Sequence, residues 1–343
     1  MTKRKSMGKS MKSCSNSRFN SCRYSMFIFA IFIIILSFAS CSDLNDNPID
    51  IPDGDRYEDI VFDEYTLTRN IKYGSNVSMS GSQIDLKLDL YEPKGDTVEE
   101  RPLVILAPGG AFQYLSNLDM NNIAEKLTSY GYVCAVISYR ILDNSSITEQ
   151  TYLDVAIKAR ADLKAAIRFF VKDADGDQKY RINTDNLFVG GYSSGAITAL
   201  NAVFINSLSE VDANMAAIIN NNGGIEGNSG NPGYSANVRG VVNLSGAVFD
   251  LDIINNENVA VLNIHGDNDP IIPYDEGDIT SGDMSLYVYG SKSIHEKAAS
   301  IGLDSELFII QNGSHSAPVI DIDDTTLRIK NFLYDNLSGF SIL

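Results

Sequence analysis

Histidine is scarce in this chain. His265, His295 and His315 are the only three in 343 residues, so any chemistry that needs an imidazole must draw on one of them. Tryptophan is missing, which leaves aromatic contacts to 17 Tyr and 15 Phe. Cysteine is sparse too. Cys14, Cys22, Cys41 and Cys134 include no CxxC pair, which argues against a zinc site. Cys134 lies in the apolar run 132–137, the setting of a buried, inert thiol. Bases are outnumbered, 27 against 44 acids, for a formal net charge of −17. A chain this acidic repels phosphate backbones, which argues against a nucleic-acid partner. The bland reading of the charge is a soluble, exposed surface. No segment repeats at a fixed period.

The N-terminal end reads as an address. Seven of the bases fall within residues 1–41, with no acid among them. Residues 1–25 are basic and Ser-rich, residues 26–36 are almost wholly apolar, and Ser37-Phe38-Ala39-Ser40-Cys41 follows. That is the order of a signal peptide. The apolar run falls short of the roughly 20 residues of a membrane-crossing helix. Ala39-Ser40 directly before Cys41 resembles a bacterial lipobox, with Phe38 where Leu is usual. The resemblance implies cleavage before Cys41 and lipidation of its thiol. The expectation is an exported protein, anchored to the outer membrane by this lipid alone, on its periplasmic face or the cell surface. Residues 1–40 are then the signal peptide, 41–60 a tether and 61–343 the catalytic domain. The tether is rich in Asp, Asn and Pro and holds too little apolar surface to fold. Acids just after Cys41 resemble the surface-export signals of Bacteroidetes lipoproteins.

Beyond the tether, apolar patterns alternate between two periods. Residues 84–91 alternate with period 2, as in a half-buried strand. A continuous apolar run at 103–107 reads as a buried strand, 133–139 as another, and 186–191, 238–244, 259–264 and 307–310 are the remaining candidate strands. Between them, 120–130, 151–172, 292–301, 324–337 and a segment starting near Ser194 read as helices. Leu153, Ile157, Leu163, Ile167 and Phe170 form the inner face of the longest. This predicts an α/β fold, with a mostly parallel twisted sheet of about eight strands and helices on both faces. Ligands in such sheets bind at the carboxyl ends of the strands. Residues 206–237 break the pattern with runs of Asn, Gly and Ser. They either border the active-site mouth or form a surface insertion. Asp173-Ala174-Asp175-Gly176-Asp177 reads as a helix-ending turn, because its Gly is misplaced for a calcium loop.

One motif carries chemistry. Gly191, Ser193 and Gly195 fit G-x-S-x-G, between an apolar strand and a helix. Such a strand-to-helix turn exposes a serine nucleophile and needs small residues on either side. The helix N-terminus offers amides to developing negative charge. Serine needs a base, and the order expected with this turn is serine, acid, histidine. His315, in the loop 311–318 past the last strand, is the candidate. His265 abuts a strand end and reads as structural; His295 lies in a helix and reads as a surface residue. Asp269, in the turn after 259–264, is the candidate acid, with Asp267 and Asp250 as rivals. The oxyanion needs two or more N–H donors. The Ser194 amide is one. Gly110 and Ala111, in Pro108-Gly109-Gly110-Ala111-Phe112, are candidates for the other.

These motifs, in this order, resemble the α/β-hydrolase esterase/lipase family over residues 70–340. The closest branch is that of bacterial carboxylesterases, of hormone-sensitive-lipase-like or carbohydrate-esterase type. Residues 161–169, Ile182-Asn183-Thr184-Asp185-Asn186 and Val136-Ile137-Ser138-Tyr139-Arg140 add to the match. Pro108 stands where the family often has His. The resemblance implies a Ser193–His315–Asp269 triad, an acyl-enzyme, no cofactor or metal, and a small-molecule or oligosaccharide ester as substrate. Its rivals are a serine peptidase of prolyl-oligopeptidase type and a non-catalytic binding lipoprotein. The chain lacks that peptidase group's propeller domain and keeps a complete candidate triad.

Overall fold

Seven apolar or aliphatic-stemmed residues in a row, Arg101–Ala107, leave no polar face, and the strand they form (β3) is buried on both sides. The computed structural model describes residues 55–143, 146–255 and 258–339. Cys41 and the signal segment lie outside them. In chain order the elements are β1 (Tyr65–Val77), β2 (Gln83–Pro93), β3, α1 (Asn117–Ser129), β4 (Val133–Ile137), α2 (Glu149–Asp175), β5 (Ile182–Tyr192), α3 (Ser194–Phe204), α4 (Ala213–Asn221), β6 (Gly240–Leu244), β7 (Ala260–Gly266), β8 (Glu276–Ser281), β9 (Met284–Tyr289), α5 (Ser291–Ser300), β10 (Ser305–Ile310), α6 (Ala317–Ile320) and α7 (Ile322–Asp335). An eight-stranded sheet runs β1-β2-β4-β3-β5-β6-β7-β10. The β1–β2 and β2–β4 pairs are antiparallel, and all later pairs are parallel. The predicted sheet and its two helical layers are therefore observed.

The alternation of side chains along a strand divides the core. Leu103, Ile105 and Ala107 face a layer with Ile157, Leu163, Ile167 and Phe170 of α2, Ile197 of α3 and Ile294 of α5. Val104 and Leu106 face Met120, Ile123 and Leu127 of α1 and Ile329, Phe332 and Leu333 of α7. Cys134 belongs to the second layer, and burial pushes its thiol up to about 12. At the end of α2, Gly176 is the cap and the Asp173 carboxylate accepts from the amides of Lys179 and Tyr180 at 3.2 and 2.9 Å. The 173–177 stretch is a helix-ending turn.

Two expectations need correction, and one open choice is decided. Residues 55–60 are not tether. The Arg56 guanidinium pairs bidentately with Asp96 at 3.0 and 2.6 Å, and Tyr57 is buried against Tyr132, with ring centroids 5.1 Å apart. One aromatic anchor outweighs an otherwise polar stretch. Residues 206–237 contain α4 and then a strap along α2. Asn222 bonds Asp154 and Lys158, Ile225 and Glu226 accept from Lys164, and Gly230 accepts from Arg168. These anchors step down α2 away from the carboxyl edge of the sheet, so 222–230 is a surface insertion and does not border the mouth. The hairpin β8–β9, absent from the predicted elements, stands apart from the large sheet and buries Ile279, Met284, Leu286 and Val288 in the α2 layer.

Strand β4 ends early because Tyr139 and Arg140 turn to polar partners. Arg140 is buried against Asp162, with Nε and Nη2 donating to the carboxylate at 2.8–3.1 Å. Ser229 donates to the same carboxylate at 2.5 Å. Removing one partner of a buried pair strands the other charge, at a cost of about 3–5 kcal/mol. Asp162→Ala is therefore expected to lower the urea midpoint strongly, with little change in m.

Candidate active site

Strand β5 and helix α3 meet by backbone contact. A Cβ on Gly191 would lie 2.5 Å from the Gly195 carbonyl carbon, and one on Gly195 would lie 2.0 Å from the Ala107 oxygen. Only glycine fits at either place. Between them Ser193 sits at φ 55°, ψ −122°, in a sparsely populated region that costs of order 1–3 kcal/mol. Its amide donates to Leu244 O at 2.9 Å, which ties the turn to β6. The hydroxyl is thus held at the carboxyl edge of the sheet.

Two further loops arrive at the same edge. The chain after β10 turns through Asn312, at φ 55°, and carries His315 back over the sheet. The loop after β7 carries Asp269. They are sewn together: Asp267 N donates to Ile310 O at 3.2 Å and Asn268 N to Gly313 O at 3.0 Å. The result is a continuous chain. His315 Nε2 is 2.9 Å from Ser193 Oγ, and His315 Nδ1 is 2.7 Å from Asp269 Oδ2. A carboxylate only accepts, so Nδ1 carries the proton and Nε2 is left to accept from the serine. Tyr192 lies beside the imidazole, ring centroids 5.2 Å apart, and its hydroxyl donates to His315 O at 3.3 Å.

The Asp269 side chain is fully buried. Burial alone would push its carboxyl up. Hydrogen bonds from His265 and His315, helped by the Ile271 amide, overcome this and hold it well below the usual carboxylate range. The rivals stand elsewhere. Asp267 is exposed, and Asp250 accepts from the Asp252 amide at 2.9 Å, capping a single helical turn. His295 pairs with Ser305 at 2.9 Å.

The loop after β3 lies against the serine. A Cβ on Gly109 would come within 3.3 Å of Ser193 Cβ. Gly110, Ala111 and Phe112 follow at φ 139°, 53° and 57°, and the buried Phe112 ring packs edge-on to Tyr139 and Tyr152. The Gly110 carbonyl accepts from the amides of Gln113 and Tyr114. Among the described residues, the amides of Gly110 and Ala111 donate to no backbone carbonyl. Ser194 begins α3, so its amide lacks an intrahelical partner as well. Pro108 has neither an N–H nor a polar side chain to brace this loop, and another group holds it. Tyr139 donates to Pro108 O at 2.5 Å and lies 3.2 Å from Ser194 Oγ. One hydroxyl thereby links the loop after β3 to the first residue of α3.

Clefts of 730 and 1180 Å³ lie along Lys72–Ser75, the end of α2 and 228–235. Neither is lined by Ser193, Asp269 or His315, so cleft size does not mark the chemistry. Two residues have contacts at the site that the sequence does not announce. The Tyr139 contact depends on a carbonyl 31 residues away. His265 is buried, in keeping with its structural reading, and it also shares Asp269 with His315; its spacing of four residues before Asp269 is the available signal.

Residues 88–250 match the family model of BD-FAE, an esterase/lipase-type α/β-hydrolase family. No curated protein matches the chain. Among solved structures, a truncated carbohydrate esterase from gut microbiota is similar at 19% identity and TM-score 0.57, over 79% of this chain and 96% of that one. The apo form of esterase 2 from Thermogutta terrifontis is similar at 15% identity and TM-score 0.57, over 82% of this chain and 98% of that one. Its propionate-bound form gives 16% identity and TM-score 0.54, over 74% and 90%. These likenesses are of fold, and the fold is that of the α/β hydrolases.

Proposed function

We propose that this chain is a serine carboxylic ester hydrolase, acting on short-acyl or carbohydrate-linked esters. The observation that carries the reading is the hydrogen-bonded chain Ser193–His315–Asp269 at a strained strand-to-helix turn. Ser193 attacks the ester carbonyl as His315 takes its proton, and Asp269 orients the ring and stabilises its cation. The amides of Ser194 and of Gly110 or Ala111 receive the oxyanion. His315 protonates the leaving alcohol. Water, activated by the same ring, then hydrolyses the acyl-enzyme. The match of 88–250 to an esterase/lipase-type family supports the reading. So do structural neighbours described as propionate-bound and as phosphorylated by paraoxon.

The neighbour described as a carbohydrate esterase and the lipobox at Cys41 support a sugar-linked ester as substrate, met by an enzyme anchored through lipid at the outer membrane. Hydrolysis of p-nitrophenyl esters from acetate to laurate, by a form starting at residue 43, tests the reaction. Acetate or ferulate release from acylated xylan tests the substrate class, and none of either would remove it. Metabolic labelling with a palmitate analogue, lost in Cys41→Ser, tests the anchor.

The oxyanion loop makes a sharper prediction. Tyr139→Phe keeps the ring but frees Pro108 O. It is expected to lower kcat roughly 10–100-fold with KM nearly unchanged, less than the 10²–10³ of losing an oxyanion donor outright. Steady-state kinetics on p-nitrophenyl acetate would check it. An equal loss in binding would remove the assigned role.

A further inference from the structure

We infer that His265 is a positioning residue: by sharing the Asp269 carboxylate it fixes the His315 ring and weakens that ring's hold on a proton. The kinetic part of this inference rests on the ester-hydrolase reading; the structural part does not.

His265 is the penultimate residue of β7 and is wholly buried. Its Nε2 lies 3.0 Å from Asp269 Oδ2 and 3.2 Å from Ile272 O. A carboxylate and a carbonyl only accept, so Nε2 must carry the proton. Nδ1 of the neutral ring is then a lone pair, and it accepts from the Ser291 hydroxyl at 2.8 Å. The Ser291 oxygen in turn accepts from Asn243 Nδ2 at 3.0 Å, and Asn243 Oδ1 accepts from the Gly246 amide at 2.9 Å. Ser291 and Asn243 are buried as completely as the ring. Each donor in this relay meets an acceptor, so the tautomer of His265 is set three residues deep.

The consequence falls on Asp269. Its Oδ1 accepts from the amides of Ile271 and Ile272 at 2.8 and 3.0 Å. Its Oδ2 accepts from both imidazoles. Four donors divide the charge of one carboxylate. Without the His265 donor, more of that charge acts on His315 and favours its cation. The base form would then be reached only at higher pH. The other groups facing this pair stay in place: Tyr192, with Asp119 behind it, beside His315, and Tyr274, edge-on to His265 at 5.8 Å, with Asp267, Asp275, Lys292 and Glu296 around it. A residue that merely filled space would lower stability and leave the pH profile alone.

The test compares His265→Phe, which keeps a ring but no donor, with His265→Gln, whose amide nitrogen reaches the place of Nε2. The acid limb of kcat/KM for p-nitrophenyl acetate is expected to rise by about 0.5–1 pH unit in His265→Phe, a 3–10-fold loss well below the limb. It returns most of the way in His265→Gln. The His315 Nδ1–H proton resonance is expected to move downfield in the first and back in the second. Ser291→Ala, a milder change that leaves both rings, moves both readouts the same way by less. It decides the matter if His265→Phe does not fold. An unmoved limb and an unmoved resonance in these variants overturn the inference while the hydrolase reading stands. If the wild type hydrolyses no ester, the hydrolase reading falls on its own, and the resonance alone supports or overturns the role of His265.

Discussion

Ser193→Ala is expected to lower kcat on the order of 10⁵–10⁶-fold, down to what the oxyanion donors and binding sustain unaided. The loss is of chemistry, not of fold. The Ser193 amide keeps its bond to Leu244 O, and alanine meets the φ of 55° at the same steric cost as serine. A companion variant separates the two effects. Ser193→Gly has no Cβ to resist a positive φ, so it should be equally inactive yet more stable by about 1 kcal/mol. Ester hydrolysis and urea denaturation, measured on the same samples, would check both halves. Residual activity within tenfold of wild type would mean that another group does the chemistry.

Asp269→Asn carries the second-largest effect, about 10⁴-fold in kcat. The site explains why an isosteric change is so costly. Four donors point at this side chain: two amides and two imidazole N–H groups. An amide offers one oxygen and one NH₂. If the oxygen faces the Ile271 and Ile272 amides, the NH₂ confronts both rings. His315 must then turn its lone pair to Nδ1 and its proton to Nε2, where it can no longer accept from Ser193. With the opposite flip, the NH₂ collides with two backbone donors. Steady-state kcat, with near-ultraviolet circular dichroism to show retained packing, would check it. A loss of tenfold or less would remove Asp269 from the role of orienting acid.

The parts of this architecture that were legible in the sequence share a physical reason. G-x-S-x-G is visible because Gly191 and Gly195 each pack a bare Cα against backbone. Strand β3 is visible because burial on both faces demands an unbroken apolar run, Leu103–Ala107. His315 stood out because so few imidazoles compete. What stayed hidden has its reasons too. Strand β1 does not alternate cleanly: Asn70 sits at φ 59° and the register against β2 shifts twice, so period 2 is lost midway. The anchor at 55–60 hangs on Tyr57 and on a pairing between Arg56 and Asp96, 40 residues apart. The Pro108–Tyr139 bond uses a carbonyl, which every residue has, so no side-chain pattern announces it.

The proposed chemistry turns on the activation of Ser193 by His315. The most direct measurement is covalent labelling of the folded protein by a fluorophosphonate, followed by mass spectrometry of its peptides. One added phosphonyl group is expected, on the peptide containing Ser193, with labelling slowed at least a hundredfold in His315→Ala. A folded protein that takes up no label, or that takes it up on another residue at the same rate with and without His315, would contradict it.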